Sequence, residues 1–109
     1  KSERDGERRM IDDRLKTIAD HYGLDGQLGI LQEECAELIQ AVSKYKRCRT
    51  VASEDACKPI IAEEMADVYI MIEQIRYLLD IDDDFEGWLH SKIDRQMRRI
   101  REEKINDRS

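Results

Sequence analysis

Two acidic motifs sit where helices bury their side chains. Glu33-Glu34-Cys35-Ala36-Glu37 and Glu64-Met65-Ala66-Asp67 lie inside the two most hydrophobic helical stretches of the chain. Charged side chains are seldom buried unless they are paired or bind a metal. At about 100° per residue, Glu64 falls within the apolar arc of Ile61, Met65, Val68, Met71, Ile72, Ile75, Leu78 and Leu79, between Met71 and Ile75. Asp67 lies at the edge of that arc, near Ile60 and Leu78, whereas Glu63 points toward the polar side. On the earlier stretch Glu34 flanks the apolar stripe beside Leu38 and Ala41, Glu37 lies next to Ile30, and Glu33 is further out. Glu34/Glu37 and Glu64/Asp67 are therefore two i,i+3 pairs, each able to face a common point between antiparallel helices.

Four oxygen donors at one point suit a hard divalent cation, Mg²⁺ or Mn²⁺, rather than zinc. A buried ion-pair network with arginines is the competing arrangement, and for Glu33 and Glu63 a solvated helix surface is the simpler one. A di-iron carboxylate centre in a helical bundle would need Glu-x-x-His motifs. The chain has only His21 and His90, and the residues three before them are Ile18 and Gly87. Both histidines read as surface or cap residues.

The elements that must position these acids follow from periodicity. A first helix is predicted from about Glu3 to Ala19, with Met10, Ile11, Leu15 and Ile18 as a sparse stripe, broken by His21-Tyr22-Gly23. Asp25 is the expected N-cap of a second helix from about Gln27 to Arg47. Cys48 to Lys58 reads as a loop or short irregular helix with Ser53 as a cap. A third helix is predicted from about Pro59 to Leu79, with the proline in its first turn. Asp82 or Asp83 would cap a fourth, reaching about Lys104, with Phe85 and Trp88 anchoring it. Nothing alternates with period two for long, so the expected fold class is all-α, with no sheet.

Composition narrows the function classes. A chain of 109 residues, 40% of them charged, with five Gly and one Pro, reads as a single helical domain over residues 1–109. No apolar run is long enough for a membrane span, and the amino terminus is charged without a secretory apolar core. Cys35, Cys48 and Cys57 form no metal-binding spacing, so reduced thiols in a cytoplasmic protein are expected. A net charge of −6 argues against nonspecific binding of nucleic acid or anionic membranes. It says less about a small anionic substrate, because a bound metal inverts the local field.

The paired motif supplies a resemblance. Glu33-Glu34-x-x-Glu37, a spacer of 26 residues and then Glu64-x-x-Asp67 is similar to the EExxE…ExxD signature of the MazG-like nucleotide pyrophosphohydrolases, within the all-α NTP pyrophosphatase superfamily. Gly29-Ile-Leu-Gln-Glu-Glu-Cys-Ala-Glu-Leu-Ile-Gln-Ala resembles the family's first core helix, and Glu63-Glu-Met-Ala-Asp-Val-Tyr-Ile its second. The likeness covers roughly Tyr22 to Arg99.

That resemblance implies a four-helix-bundle-type fold completed by homo-oligomerisation, as a dimer or tetramer. Wide apolar arcs on two helices argue in the same direction. The implied activity is Mg²⁺-dependent hydrolysis of a nucleoside triphosphate between its α and β phosphates, giving the monophosphate and pyrophosphate. Glu34, Glu37, Glu64 and Asp67 would be the metal ligands, with Glu37 or Glu33 orienting or deprotonating the attacking water. The family often carries Lys followed three residues later by Arg on its last helix, which Lys92 and Arg95 match, although Ser91 stands where Asn is common. Lys92 and Arg95 are thus the expected phosphate-binding cations, and one or two of Lys44, Lys46, Arg47 and Arg49, with Arg47 the first choice, would join them. A noncatalytic helical adaptor is the alternative class, and a phosphoribosyl-ATP-like substrate the alternative chemistry. The nucleobase is not legible.

Overall fold

The computed structural model describes residues 10–108, which form four α-helices and no strand. These are α1 (Asp13–Tyr22), α2 (Leu24–Lys46), α3 (Val51–Leu79) and α4 (Asp82–Arg108). The chain divides into two compact units, one ending at Leu79 and the other starting at Asp80. The Glu3–Arg9 part of the predicted first helix lies outside the described residues; Met10, Ile11 and Asp12 precede the helix, which runs on through His21 and Tyr22 to stop at Gly23 instead of ending at Ala19. No described helix is long and apolar enough to cross a membrane.

In the first unit α1, α2 and α3 pack on one another, and α2 against α3 is the most extensive pairing. α1 starts where the Asp12 side chain accepts the Arg14 backbone N–H at 2.8 Å. The Arg14 guanidinium closes on the same carboxylate and holds it down at about 2. Gly23 ends α1 and opens α2 with φ 85° and ψ 165°, donating its N–H to the Ala19 carbonyl. A side chain at that φ would be strained, which is why glycine serves here. The predicted cap at Asp25 is therefore corrected to Gly23, and Asp25 lies in the first turn, where its charge favours the helix dipole.

The third helix starts eight residues before the predicted Pro59. Thr50 and Ser53 form a reciprocal capping box: Ser53 donates its backbone N–H to Thr50 Oγ1 at 3.1 Å, and Thr50 donates its own to Ser53 Oγ at 3.3 Å. Two orphan donors are satisfied at once, so the helix nucleates at Val51. Thr50 is the cap, and Ser53 is its partner inside the first turn. Pro59 falls within the helix, where it withholds one ladder hydrogen bond. At the other end, Asp80 takes φ 55°, a left-handed conformation that a short polar side chain tolerates.

A tight connection, Arg47–Thr50, makes α2 and α3 antiparallel neighbours. Their register is marked by one buried contact: Gln27 Nε2 donates to Gln74 Oε1 at 2.7 Å, with Gln74 only 1% exposed. Seven residues, or two helical turns, separate Gln27 from Glu34 and Gln74 from Asp67. Three residues further, Glu37 and Glu64 come level. The glutamine pair thus sets the register that juxtaposes the acidic motifs.

Around Gln74 the third helix is buried on several sides, taking Met71, Glu73, Ile75 and Arg76 out of solvent. α1 reaches this half: Tyr77 donates its hydroxyl to Asp20 at 2.8 Å, and Lys16 lies over the Tyr77 ring. Toward the amino-terminal half of α3 the cover thins, and Met65, predicted for the core, is 56% exposed.

In the second unit α4 starts at Asp82 rather than after it. Asp82, Asp83 and Asp84 fill its first turn, and Phe85 donates its N–H to the Ile81 carbonyl at 2.9 Å. Three carboxylates at a helix N-terminus complement its dipole, which accounts for acids here that need not cap. The helix continues past Lys104 to Arg108. Trp88, read as an anchor, is 64% exposed and carries the Lys92 ammonium 5.6 Å above its ring.

Removing one member of the glutamine pair leaves a buried amide unsatisfied. Gln74→Leu should lower the unfolding free energy by about 1–3 kcal/mol in urea titrations, and the double variant Gln27→Leu/Gln74→Leu should recover most of the loss. A single variant as stable as the wild type would remove the pair from this role.

Candidate metal centre

The antiparallel register brings Glu34, Glu37 and Glu64 together. One carboxylate oxygen from each lies within 4.8 Å of the other two. Glu34 and Glu64 are half-buried and Glu37 is exposed at the rim, so the group opens to solvent on one side. Asp67 is half-buried and lies outside this three-residue group, but its charge acts on both Glu34 and Glu64. Glu33 and Glu63 are exposed and act on Glu34 and Glu64 respectively.

Two observations show how poorly these acids are compensated within the chain. Glu34 Oε1 and Glu64 Oε1 are buried and have no hydrogen-bond partner. No described Lys or Arg forms an ion pair with Glu34, Glu37 or Glu64. The buried arginine ion pair of this half of the molecule engages another acid: buried Arg76 pairs with buried Glu73 at 3.0 Å. Both carboxyls of the centre are accordingly pushed above their ordinary 4.5. Burial is the first cause for each, followed by Glu37, Asp67, Glu64 and Glu33 for Glu34, and by Glu37, Asp67 and Glu63 for Glu64.

The donor set fits a hard divalent cation. It is made of carboxylate oxygens, one from each of three residues can approach a common point, and Glu34 and Glu64 each also carry a buried oxygen without a partner. Neutral nitrogen and thiol donors, which zinc would favour, are absent from this group.

The remaining predicted site residues are distributed as follows. Arg47 is exposed at the C-cap of α2, and its carbonyl accepts from the Arg49 guanidinium at 3.1 Å. Lys92 and Arg95 are exposed on α4, in the second unit. His21 stacks edge-on with Tyr22, and His90 faces Glu86 at 3.6 Å, so neither histidine belongs to the carboxylate group. An apolar groove of about 530 Å³ between α1 and α3, bounded by Leu15, Ile18, Tyr69 and Ile70, is lined by none of the clustered acids. Sequence reasoning missed the Gln27–Gln74 contact. Its signal was the two-turn spacing of each glutamine from an acidic motif.

No protein-family profile, curated protein or solved structure matches this chain.

Raised carboxyls carry a definite pH dependence. Between about 4.5 and the raised values, the folded metal-free protein retains protons that the unfolded chain has released. Their contribution to stability is therefore fully present below that window and is lost as pH rises through it. The contribution of Asp12, depressed to about 2, is lost at more acid pH and does not overlap. Thermal melts of metal-free protein should show a smaller fall in Tm between pH 4.5 and 7 for Glu64→Gln than for the wild type. Identical pH profiles would show that this carboxyl is not strained in the folded state.

Proposed function

We propose that this chain is a Mg²⁺-dependent nucleotide pyrophosphohydrolase of MazG-like type, cleaving a nucleoside triphosphate between its α and β phosphates. The observation that carries the reading is the convergence of Glu34, Glu37 and Glu64 with two buried oxygens lacking partners. The paired EExxE and ExxD spacing supports the same reading.

Glu34, Glu37 and Glu64 would hold the cation, with Asp67 completing the set. Bound there, Mg²⁺ would offset the carboxylate repulsion and polarise phosphate oxygens. Glu37, exposed at the rim, would accept a proton from an attacking water, and Glu33 is the other candidate for that role. Cleavage leaves negative charge on the departing pyrophosphate, which cations must neutralise. This reading assigns Lys92, Arg95 and Arg47 to that task.

Homo-oligomerisation belongs to the same proposal. Apolar side chains on the first unit's helices are left uncovered, including Ile39 at 65% exposure together with Val42, Ile60 and Met65. Exposed apolar side chains on two neighbouring helices are what a partner surface would cover. A second copy of the chain would bury them.

Incubation with a panel of NTPs, dNTPs and phosphoribosyl-ATP should release pyrophosphate only with Mg²⁺ or Mn²⁺. Glu64→Gln should lower turnover at least about a hundredfold while the protein stays folded. Lys92→Ala or Arg95→Ala should raise KM about ten- to a hundredfold. Absence of turnover on every substrate, with no Mg²⁺-dependent thermal shift, would favour the noncatalytic adaptor. Light scattering should give a mass of at least twice the 12.9 kDa chain, and a stable monomer would contradict the oligomer.

A further inference from the structure

Away from the carboxylates, the chain brings two thiols into contact. Cys48 lies just after the end of α2 and Cys57 in the second turn of α3, and their sulfur atoms are 3.6 Å apart. That is van der Waals contact between residues nine apart in sequence. Two local devices create it. The Arg47–Thr50 connection reverses the chain, and the Thr50–Ser53 capping box fixes where α3 begins. Cys48 is further held by a contact between its thiol and the Lys44 carbonyl at 3.5 Å. Cys57 is 7% exposed, whereas Cys48 is half-buried and reachable from solvent.

We propose that Cys48 and Cys57 form a reversible disulfide on reaction with a hydroperoxide. The Cys48 thiol releases its proton and the thiolate attacks the terminal peroxide oxygen; the O–O bond breaks, leaving a sulfenic acid at Cys48, and the departing oxygen takes up the released proton to leave as an alcohol, or as water when the oxidant is hydrogen peroxide. The Cys57 sulfur then attacks the Cys48 sulfur, and the hydroxide leaves with the Cys57 proton as water. Two thiols are oxidised to one disulfide while one peroxide is reduced. The order follows from exposure, because the oxidant meets Cys48 first and the buried Cys57 resolves the product.

The two sulfurs must close to about 2 Å. The crosslink would span the α2–α3 turn and brace the connected end of the pair of helices that carries the acidic motifs. Cys35 lies more than three turns before Cys48 along α2 and serves as an internal control. The inference stands independently of the pyrophosphohydrolase reading.

The test uses the full chain, reduced, freed of reductant and treated with hydrogen peroxide, then alkylated under denaturing conditions. Mass spectrometry should find an intact mass lower by two hydrogens before alkylation, one alkylated cysteine at Cys35, and a linked peptide joining Cys48 to Cys57. Dithiothreitol should restore all three thiols. The oxidised protein should melt at least about 5 °C higher than the reduced one, and Cys48→Ser or Cys57→Ser should show no such shift. Three alkylated cysteines after peroxide would overturn the proposal. So would a crosslink through Cys35, a crosslink between two chains, or a sulfinic acid at Cys48 with no linked peptide.

Discussion

Carboxylate repulsion inside a helical interface is the constraint on which the rest of this structure turns. Glu34 and Glu64 each keep an oxygen out of water with nothing to receive it, and Glu37 stands against both. Desolvation and like charge both work against that arrangement. It persists because α2 and α3 pack along their length, because Gln27 and Gln74 mark one register, and because a capping box starts α3 where that register requires. Packing free energy is spent to hold like charges together. A chain selected for stability alone would place apolar side chains at these positions.

Such an arrangement links stability to ligand. A cation that binds the folded carboxylates and not the unfolded chain shifts the equilibrium toward the folded state by mass action. The strain at Glu34 and Glu64 then has a physical counterpart in affinity, since the oxygens are already desolvated and gathered. Openness on the Glu37 side matters equally, because a cation enclosed by protein ligands alone could not also engage a phosphate.

The legible part of the fold was the part governed by one helical face. Glu34, Glu37 and Glu64 converge as their 3.6-residue spacing requires, since α2 and α3 present one face each to the other at that level. Asp67, at the edge of the arc, falls outside the tight group for the same angular reason. Where α3 is packed by α1 as well as α2, a single-face argument fails. Glu73, Gln74 and Arg76 are polar side chains that the apolar arc leaves out, yet they are buried, satisfied by partners that a periodicity count does not see. Met65 errs in the opposite direction, lying on the apolar arc and yet standing 56% exposed. Pro59 was misleading as a start signal. The Thr50–Ser53 box carries a threonine-serine pair rather than the more recognisable acidic partner, and it nucleates the helix two turns sooner.

The most direct test of the account is Mn²⁺ binding to metal-free protein, followed by electron paramagnetic resonance of the free ion. Wild-type protein should remove the free-ion signal saturably, Mg²⁺ should restore it by competition, and Glu34→Gln or Glu64→Gln should bind far more weakly while remaining helical. If wild type and both variants leave the same amount of free Mn²⁺, the carboxylates are not a cation site and the functional reading built on them falls.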